Sequence, residues 1–415
     1  LYSWFPYYKE CRKARKNHFE FSCILGFLMR ILFLTNAYPD FKDSYRGIFI
    51  KKIASLLQKE GYEISVVTPR IYEGSRYFEE EDGIKVYRFP FFARNKLLVE
   101  YKKIPFLRMI LYYVTGFFLT VYTVLRDKCD VIHVHWAIPT GLIGVWIKAL
   151  LRKPFIVTIH GSDLRMALDR PGFLRKIFVY VCKKADHLNC VSEVQKKELE
   201  RLGVPTKKIS TIPMGIDASF LETGKNREVE SWNRPITILS NRNLLPIYNV
   251  SLLIRAIPIV LKEEPGTKFL IAGEGSEKVV LEKEVKNLNI NSSVKFLGRV
   301  PHDQMPNLLS QADIYVSTSL YDGTSVSLLE AMGSGAFPVV TDIPANREWI
   351  INGENGFLIS PHEPKSLASR IIDAIRNHEL LQKGPTKNRL IVEQRALWSE
   401  YIKRIRSIYT NILNS

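Results

Sequence analysis

"KFLIAGEGSEKVVLEKEVKNLNINSSVKFLGRV", residues 268–300, decides the fold. "KFLIA" is a short apolar run that stops at a Gly-Glu-Gly turn, "EKVVLEKEVKNLNI" has helical spacing, and "VKFLGRV" is a second apolar run. Strand, helix and strand in that order make a βαβ unit, whose strands run parallel because the helix carries the chain back.

The alternation extends both ways. "ITILSNR" and "NVSLLIRAIPIVLKEEPG" precede it, while "MPNLLSQA", "DIYVSTS", "SVSLLEAMGSG" and "AFPVVTD" follow, with helical stretches from about Pro364. The first half repeats the pattern from Met29: "RILFLTNAYP", "GIFIKKIASLLQKEG", "YEISVVTP", "KVYRFP", "DVIHVHWA", "PFIVTIHGSD" and "HLNCVSE". A chain of 415 residues holds two or three domains. Parallel-sheet domains are expected over 29–217 and 235–390, joined by the polar, aperiodic "ASFLETGKNREVESWNRP" as a linker over 218–234. Residues 1–28 read as an N-terminal extension outside the fold.

Composition narrows the function. The net charge of +17 is uneven: residues 1–230 hold 38 Lys/Arg against 24 Asp/Glu, and the remainder 21 against 18. The first half therefore seeks an anionic partner. Zinc-finger spacing, an RNA-binding aromatic signature and a heptad with a basic region are all missing, so a membrane surface is expected rather than nucleic acid. Lys96, Lys102, Lys103 and Arg108 lead into the apolar run Met109–Leu125, which is short for a bilayer span and reads as a buried or membrane-facing helix. The five cysteines have neither disulfide nor zinc spacing, and a reducing, cytoplasmic setting is expected.

Polar clusters fall where strands end. His160-Gly161-Ser162-Asp163, Asn241-Arg242, Gly273-Glu274-Gly275-Ser276 and Asp322-Gly323-Thr324-Ser325 each follow an apolar run, which is where ligands of parallel sheets sit. "GEGSEK" has two of the three glycines of a dinucleotide fingerprint, which disfavours a nicotinamide enzyme. A glycine beside a helix N-terminus suits a phosphate, and Arg242 adds a cation with bidentate geometry. Asp322 and Glu330 then serve as acceptors for sugar hydroxyls, although an acid before a helix also serves as a cap. Asp163 has the same two readings. His133 and His135 read as core or loop histidines.

These motifs together resemble a family 4 retaining glycosyltransferase of the GT-B type. "AGEGSE", "VKFLGRVPHDQMPNLLSQADIYVSTS", "DGTSVSLLEAMGSGAFPVVTD" and "GENGFLISPHEPKSLASRI" read like its donor half. "RGIFIKKIASLLQKEGYEISVVTP", "DVIHVHWA", "TIHGSD", "CVSE" and "IPMGID" read like its acceptor half. The resemblance implies an α/β fold of two Rossmann-like domains facing a central cleft. Its last helix, 391–415, returns to the first domain with Trp398 buried. The implied reaction moves a sugar from a nucleoside-diphosphate donor to a hydroxyl acceptor with retention, in polysaccharide, lipopolysaccharide or glycolipid synthesis. Asp322 would bind the donor sugar and Glu330 the ribose. Gly323, Thr324 and Ser325 would present backbone donors, Gly275 would join this donor set, and Gly298 with Arg299 would line the base. His160 would lie by the anomeric carbon and Gly47 by the phosphates.

Two positions depart from the family pattern. Its first acid is usually Glu, here Asp322, and its Arg/Lys pair becomes Arg242 and Tyr248, so half of the cationic clamp is replaced. The role of Tyr248 is open at this level. With no Asp-x-Asp in the chain, neither metal nor cofactor is expected. The expected partners are a nucleotide sugar, a lipid-linked hydroxyl acceptor and an anionic membrane surface, with peripheral attachment at the cytoplasmic face. Non-catalytic nucleotide-sugar binding and basic nucleic-acid binding are the rival readings.

Overall fold

A computed structural model describes residues 29–41, 44, 46–93, 95, 105–169, 172–225 and 234–414. The extension 1–28 and the basic Lys96, Lys102 and Lys103 lie outside the described residues. The chain forms two compact units. One holds the described residues up to Cys190 with Leu199–Ser210 and those from Arg404 onward; the other holds Val191–Glu198 and the described residues within Thr211–Lys403.

The first unit begins with β1 (Arg30–Thr35), α1 (Ile48–Lys59), β2 (Glu63–Arg70), β3 (Phe78–Glu81), β4 (Ile84–Pro90) and α2 (Phe106–Arg126). It continues through β5 (Val131–His135), α3 (Gly141–Leu151), β6 (Phe155–Ile159), α4 (Ser162–Asp169), α5 (Phe173–Lys184) and β7 (His187–Cys190). Helix α6 (Glu193–Arg201) and β8 (Ile209–Thr211) follow. The sheet order is β3-β4-β2-β1-β5-β6-β7-β8. Strand β1 pairs in parallel with both β2 and β5, placing Phe33 opposite Val66 on one side and His133 on the other. Chain direction reverses its march across the sheet between β1 and β5, so loops on either side diverge there and leave room at the strand ends.

The second unit holds α7 (Ala218–Lys225), β9 (Thr237–Ser240), α8 (Val250–Glu263), β10 (Lys268–Ala272), α9 (Lys278–Asn287), β11 (Val294–Gly298) and α10 (Met305–Ser310). It continues with β12 (Ile314–Ser317), α11 (Val326–Gly333), β13 (Phe337–Thr341), α12 (Pro344–Arg347), β14 (Phe357–Ile359), α13 (Pro364–Arg376) and α14 (His378–Arg395), and α15 (Trp398–Asn414) ends the chain. Its sheet is parallel throughout, ordered β11-β10-β9-β12-β13-β14. The reversal point lies between β9 and β12. Both sheet faces are covered, one core gathering Ile254, Phe269 and Ile371, another Leu239, Leu329 and Tyr315. That double burial is why the strands read as unbroken apolar runs.

Several sequence expectations need correction. "ASFLETGK" is not linker but helix α7, with Phe220 and Leu221 buried in the second core beside Leu328 and Met332. Its large apolar residues are just the adjacent Phe220 and Leu221, too little for a periodicity to show. The domain boundary at 217 also shifts, since the second unit takes Val191–Glu198 and begins again at Thr211. The first sheet is not wholly parallel: β3, with three glutamates in four residues, pairs antiparallel with β4 at the sheet edge. The 391–415 helix is two helices broken after Arg395, and Trp398 is half-buried rather than buried, stacked on the backbone at Gly215.

Phe220→Ala should cost about 3 kcal/mol or more, read as a lowered urea midpoint. A loss below about 0.5 kcal/mol, the size of a surface change, would return this segment to linker status.

Candidate functional site

In the second unit the strand ends on either side of the reversal point bring Arg242 and Asp322 together. Arg242 follows β9 and Asp322 follows β12, and one guanidinium nitrogen, Nη2, donates to both carboxylate oxygens at 2.9 Å. Nη1 donates to Ser327 Oγ at 3.1 Å. The guanidinium also lies 4.3 Å from the centre of the Tyr248 ring, a cation–π contact. Tyr248 thus stacks beneath the surviving cation where the family pattern has a second one. Burial works against the Arg242 charge, but Asp322 and the nearby Tyr315 and Tyr248 phenols outweigh it and hold the guanidinium charged. Burial raises the Asp322 carboxyl, while Arg242 and the hydroxyls of Ser325 and Ser319 pull it back. The capping role for Asp322 is not what the structure holds: Ser325 is the N-cap residue of α11, without a side-chain cap.

Glu330 lies one and a half turns into α11 and is 7% exposed. A carboxylate so buried needs a donor, and His302 Nε2 meets its Oε1 at 3.0 Å. His302 carries no signal in the sequence beyond its place just past a strand end. The Gly-Glu-Gly turn has a packing cause. A Cβ on Gly275 would stand 2.2 Å from the Leu244 carbonyl oxygen, and Leu244 N–H donates to Glu274 O at 3.0 Å. The turn therefore braces the segment after Arg242 from below. Gly298 accepts from Gly273 N–H at 2.7 Å, and Arg299 beside it is exposed. Gly323 and Thr324 are partly exposed and Ser325 is buried; the Thr324 hydroxyl donates to the Val191 carbonyl.

In the first unit three histidines form a column at the ends of β5 and β6. His133 and His135 stack at 4.4 Å between centroids, and His135 Nδ1 meets His160 Nε2 at 3.1 Å. His133 is fixed by the Tyr409 hydroxyl at 2.6 Å and Thr158 Oγ1 at 2.7 Å. The core reading of His133 and His135 holds, since both are fully buried. One edge of His160 reaches the surface, with Phe49 and Trp136 against the ring. Burial pushes both His133 and His160 down to about 3, so both are neutral at pH 7.

Asp163 ties this site to its neighbouring loop. Its Oδ2 accepts from Ala137 N–H at 2.8 Å and its Oδ1 from Gly161 N–H at 3.1 Å. Burial pushes its carboxyl up to about 6 against the pull of those donors. Both oxygens are occupied by backbone, so Asp163 positions the loops that carry Trp136 and His160. Gly47 starts α1 with φ of 67°, and a Cβ there would stand 2.2 Å from Ala37 O. The chain's own approach requires that glycine. Beside it, Arg46 is buried, donating to Asp40 Oδ2 and Tyr38 O at 2.7 Å and to Asn36 O at 3.0 Å. Arg46 and Asp40, unmarked in the sequence, shape the loop after β1.

Two outcomes follow from these geometries. A histidine neutral in the fold but protonated when unfolded near its ordinary value of about 6.5 favours unfolding in acid. Stability should be full above that value and fall as pH drops from 6.5 toward 3, by about 2 kcal/mol per buried histidine at pH 5. The acid slope of melting temperature should be shallower in His135→Gln, and equal slopes would contradict the neutral column. In the second unit, Arg242→Met leaves the Asp322 charge half-stranded and should cost about 3 kcal/mol. Arg242→Met with Asp322→Asn should cost less than the sum of the single changes, by about 1 kcal/mol or more, and strict additivity would deny the pair.

Comparison with known proteins agrees with both halves. Residues 47–220 match the family described as Glycosyltransferase Family 4, and residues 223–408 the family described as Glycosyl transferases group 1. The chain is 25% identical over 294 residues to the N-acetyl-alpha-D-glucosaminyl L-malate synthase of Bacillus anthracis, covering 69% of this chain and 76% of that one. It is also 25% identical over 328 residues to the alpha-monoglucosyldiacylglycerol synthase of Streptococcus pneumoniae, covering 75% and 70%. Sucrose-phosphate synthase from Thermosynechococcus elongatus superposes with a TM-score of 0.76 at 15% identity, covering 92% of this chain and 99% of that one. Anabaena HepE in complex with UDP-glucose gives 0.69 at 18% identity, covering 92% and 100%. Two α/β units with strand-end clusters in the expected order, matched along most of their length, make this chain a member of the family 4, group 1 glycosyltransferases, with the GT-B fold.

Proposed function

We propose that the chain transfers a sugar from a nucleoside-diphosphate donor to a hydroxyl acceptor with retention at the anomeric carbon, without a metal. The observation that carries this reading is the Arg242–Asp322 pair at the reversal point of the second sheet, with Glu330 buried eight residues on. Arg242, with bidentate geometry, takes the diphosphate. Glu330, already holding His302, takes the ribose hydroxyls. Asp322 is released to the sugar hydroxyls when phosphate replaces it at Arg242. The acceptor hydroxyl attacks the anomeric carbon from the face the diphosphate leaves, and that diphosphate takes the acceptor proton, so retention requires no protein nucleophile. Charge developing on it is met by Arg242 and the N–H groups at the start of α11. Neutral His160 acts as a hydrogen-bonding group, its Nδ1 the nitrogen left for a ligand because Nε2 faces His135.

Support for a nucleotide-sugar donor comes also from the HepE structures, whose ligands are UDP, glucose and UDP-glucose. The diacylglycerol named for the pneumococcal relative supports a lipid-linked acceptor. The basic first half fits work at the cytoplasmic face of an anionic membrane, in envelope polysaccharide, lipopolysaccharide or glycolipid synthesis. Tyr248 in place of a second cation favours one rival, nucleotide-sugar binding without turnover, and the assay must separate the two.

Melting should be followed with UDP, GDP and ADP and their sugars. One series should stabilise the protein, by about 2.7 kcal/mol at a hundredfold excess over Kd, and Glu330→Ala should abolish the shift. Equal shifts in both proteins would remove Glu330 from the donor site. Turnover in the presence of EDTA, with the donor's anomeric configuration kept in the product by NMR, completes the test; binding without turnover assigns the rival.

A further inference from the structure

Helix α2 is apolar on both sides. Its inner face buries Tyr112, Gly116, Thr120, Thr123 and Val124 against the sheet at β2 and β4. Its outer face shows Leu107 (80% exposed), Ile110, Val114, Phe118 (66%), Tyr122 and Leu125 (61%). Steps of four residues from 110 to 122 put these on one stripe. A helix covering a sheet in water presents polar residues on that side. This one presents hydrocarbon over five turns.

The neighbouring helices continue the surface. Helix α3 packs beside α2 and adds Trp146 and Leu150; between the two helices runs an open, apolar groove of about 780 Å³. Helix α5 packs beside α3 and adds Phe173 (77% exposed) and Tyr180. The three helices contain no Asp or Glu. Their charges are all basic: Arg108 and Arg126 toward the ends of α2, Lys148 in α3, and the pairs Arg175–Lys176 and Lys183–Lys184 at the two ends of α5. Lys148 is paired with Asp186 at 2.5 Å.

We infer that the α2–α3–α5 face docks on an anionic lipid bilayer, the α2 stripe and the groove entering the acyl boundary and the basic ends meeting lipid phosphates. Charge of one sign around an unpartnered apolar stripe is the complement of that surface. At 21 residues α2 is long enough to span, but its inner face is part of the first unit's core, so it lies along the membrane rather than through it. The inference deepens the proposed function, from which it takes the lipid-linked acceptor and the anionic membrane, and names the face that docks.

The test is flotation of the full chain with vesicles of phosphatidylcholine mixed with phosphatidylglycerol, and of phosphatidylcholine alone, at low and high salt. The wild type should float with the mixed vesicles at low salt. Leu107→Ser/Phe118→Ser/Leu125→Ser should bind about tenfold more weakly or worse, and Arg175→Glu/Lys176→Glu should lose the salt-dependent part. All five side chains point to solvent, and an unchanged melting temperature verifies that the variants fold. Variants that float like the wild type, or a wild type that stays below both vesicles, overturn the inference. So does a wild-type dimer that dissociates on the apolar changes without floating, since that assigns the face to a second copy. The nucleotide shift, read on the same samples, keeps the two readings apart: floating without a shift overturns the donor site and leaves the docking face standing.

Discussion

A charge taken out of water must find its partner inside the fold, and both strand-end sites of this chain are arranged around that constraint. In the second unit a guanidinium and a carboxylate arriving from neighbouring strands neutralise each other, with an aromatic ring closing the third side. In the first, Arg46 and Asp40 do the same at the loop after β1. Arg88, wholly buried, joins them by donating to Pro39 O and Glu79 at 2.6 Å. The alternative remedy, giving up the charge, is the one taken by the histidine column. The loops that end the strands are therefore held by polar contacts of fixed geometry rather than by apolar packing.

The fold was largely legible because strands buried on both faces leave unbroken apolar runs, and the helices between them keep a clear period. Strand β3 was not, because "FEEE" at a sheet edge has the composition of a solvated loop. Strand β14 is three residues long, too short for any pattern. Helix α7 hid behind polar residues because Phe220 and Leu221 are its only buried apolar side chains.

The site was legible in its parts and not in its pairings. That Arg242, Asp322 and Glu330 belong to one region follows from their places at strand ends. That Arg242 holds Asp322 depends on β9 lying beside β12, a neighbourhood between positions 80 residues apart that no local spacing encodes. Tyr248 looked like a lost cation and is a platform for the remaining one. The sequence leaves Asp163 equally a cap or a ligand contact, and the fold engages both its oxygens with backbone N–H groups.

The pairing at Arg242 also bears on selectivity. A carboxylate bound through both oxygens to one nitrogen imitates what a phosphate would do there, so the site carries its own internal competitor. Any anion that reaches Arg242 is weighed against Asp322, and its measured affinity is a difference between two ion pairs. On the proposed reading a weak or singly charged anion would lose that exchange, while a diphosphate would win it and free a carboxylate on binding. A shorter acid, whose reach is limited, makes the exchange sensitive to small shifts of its loop.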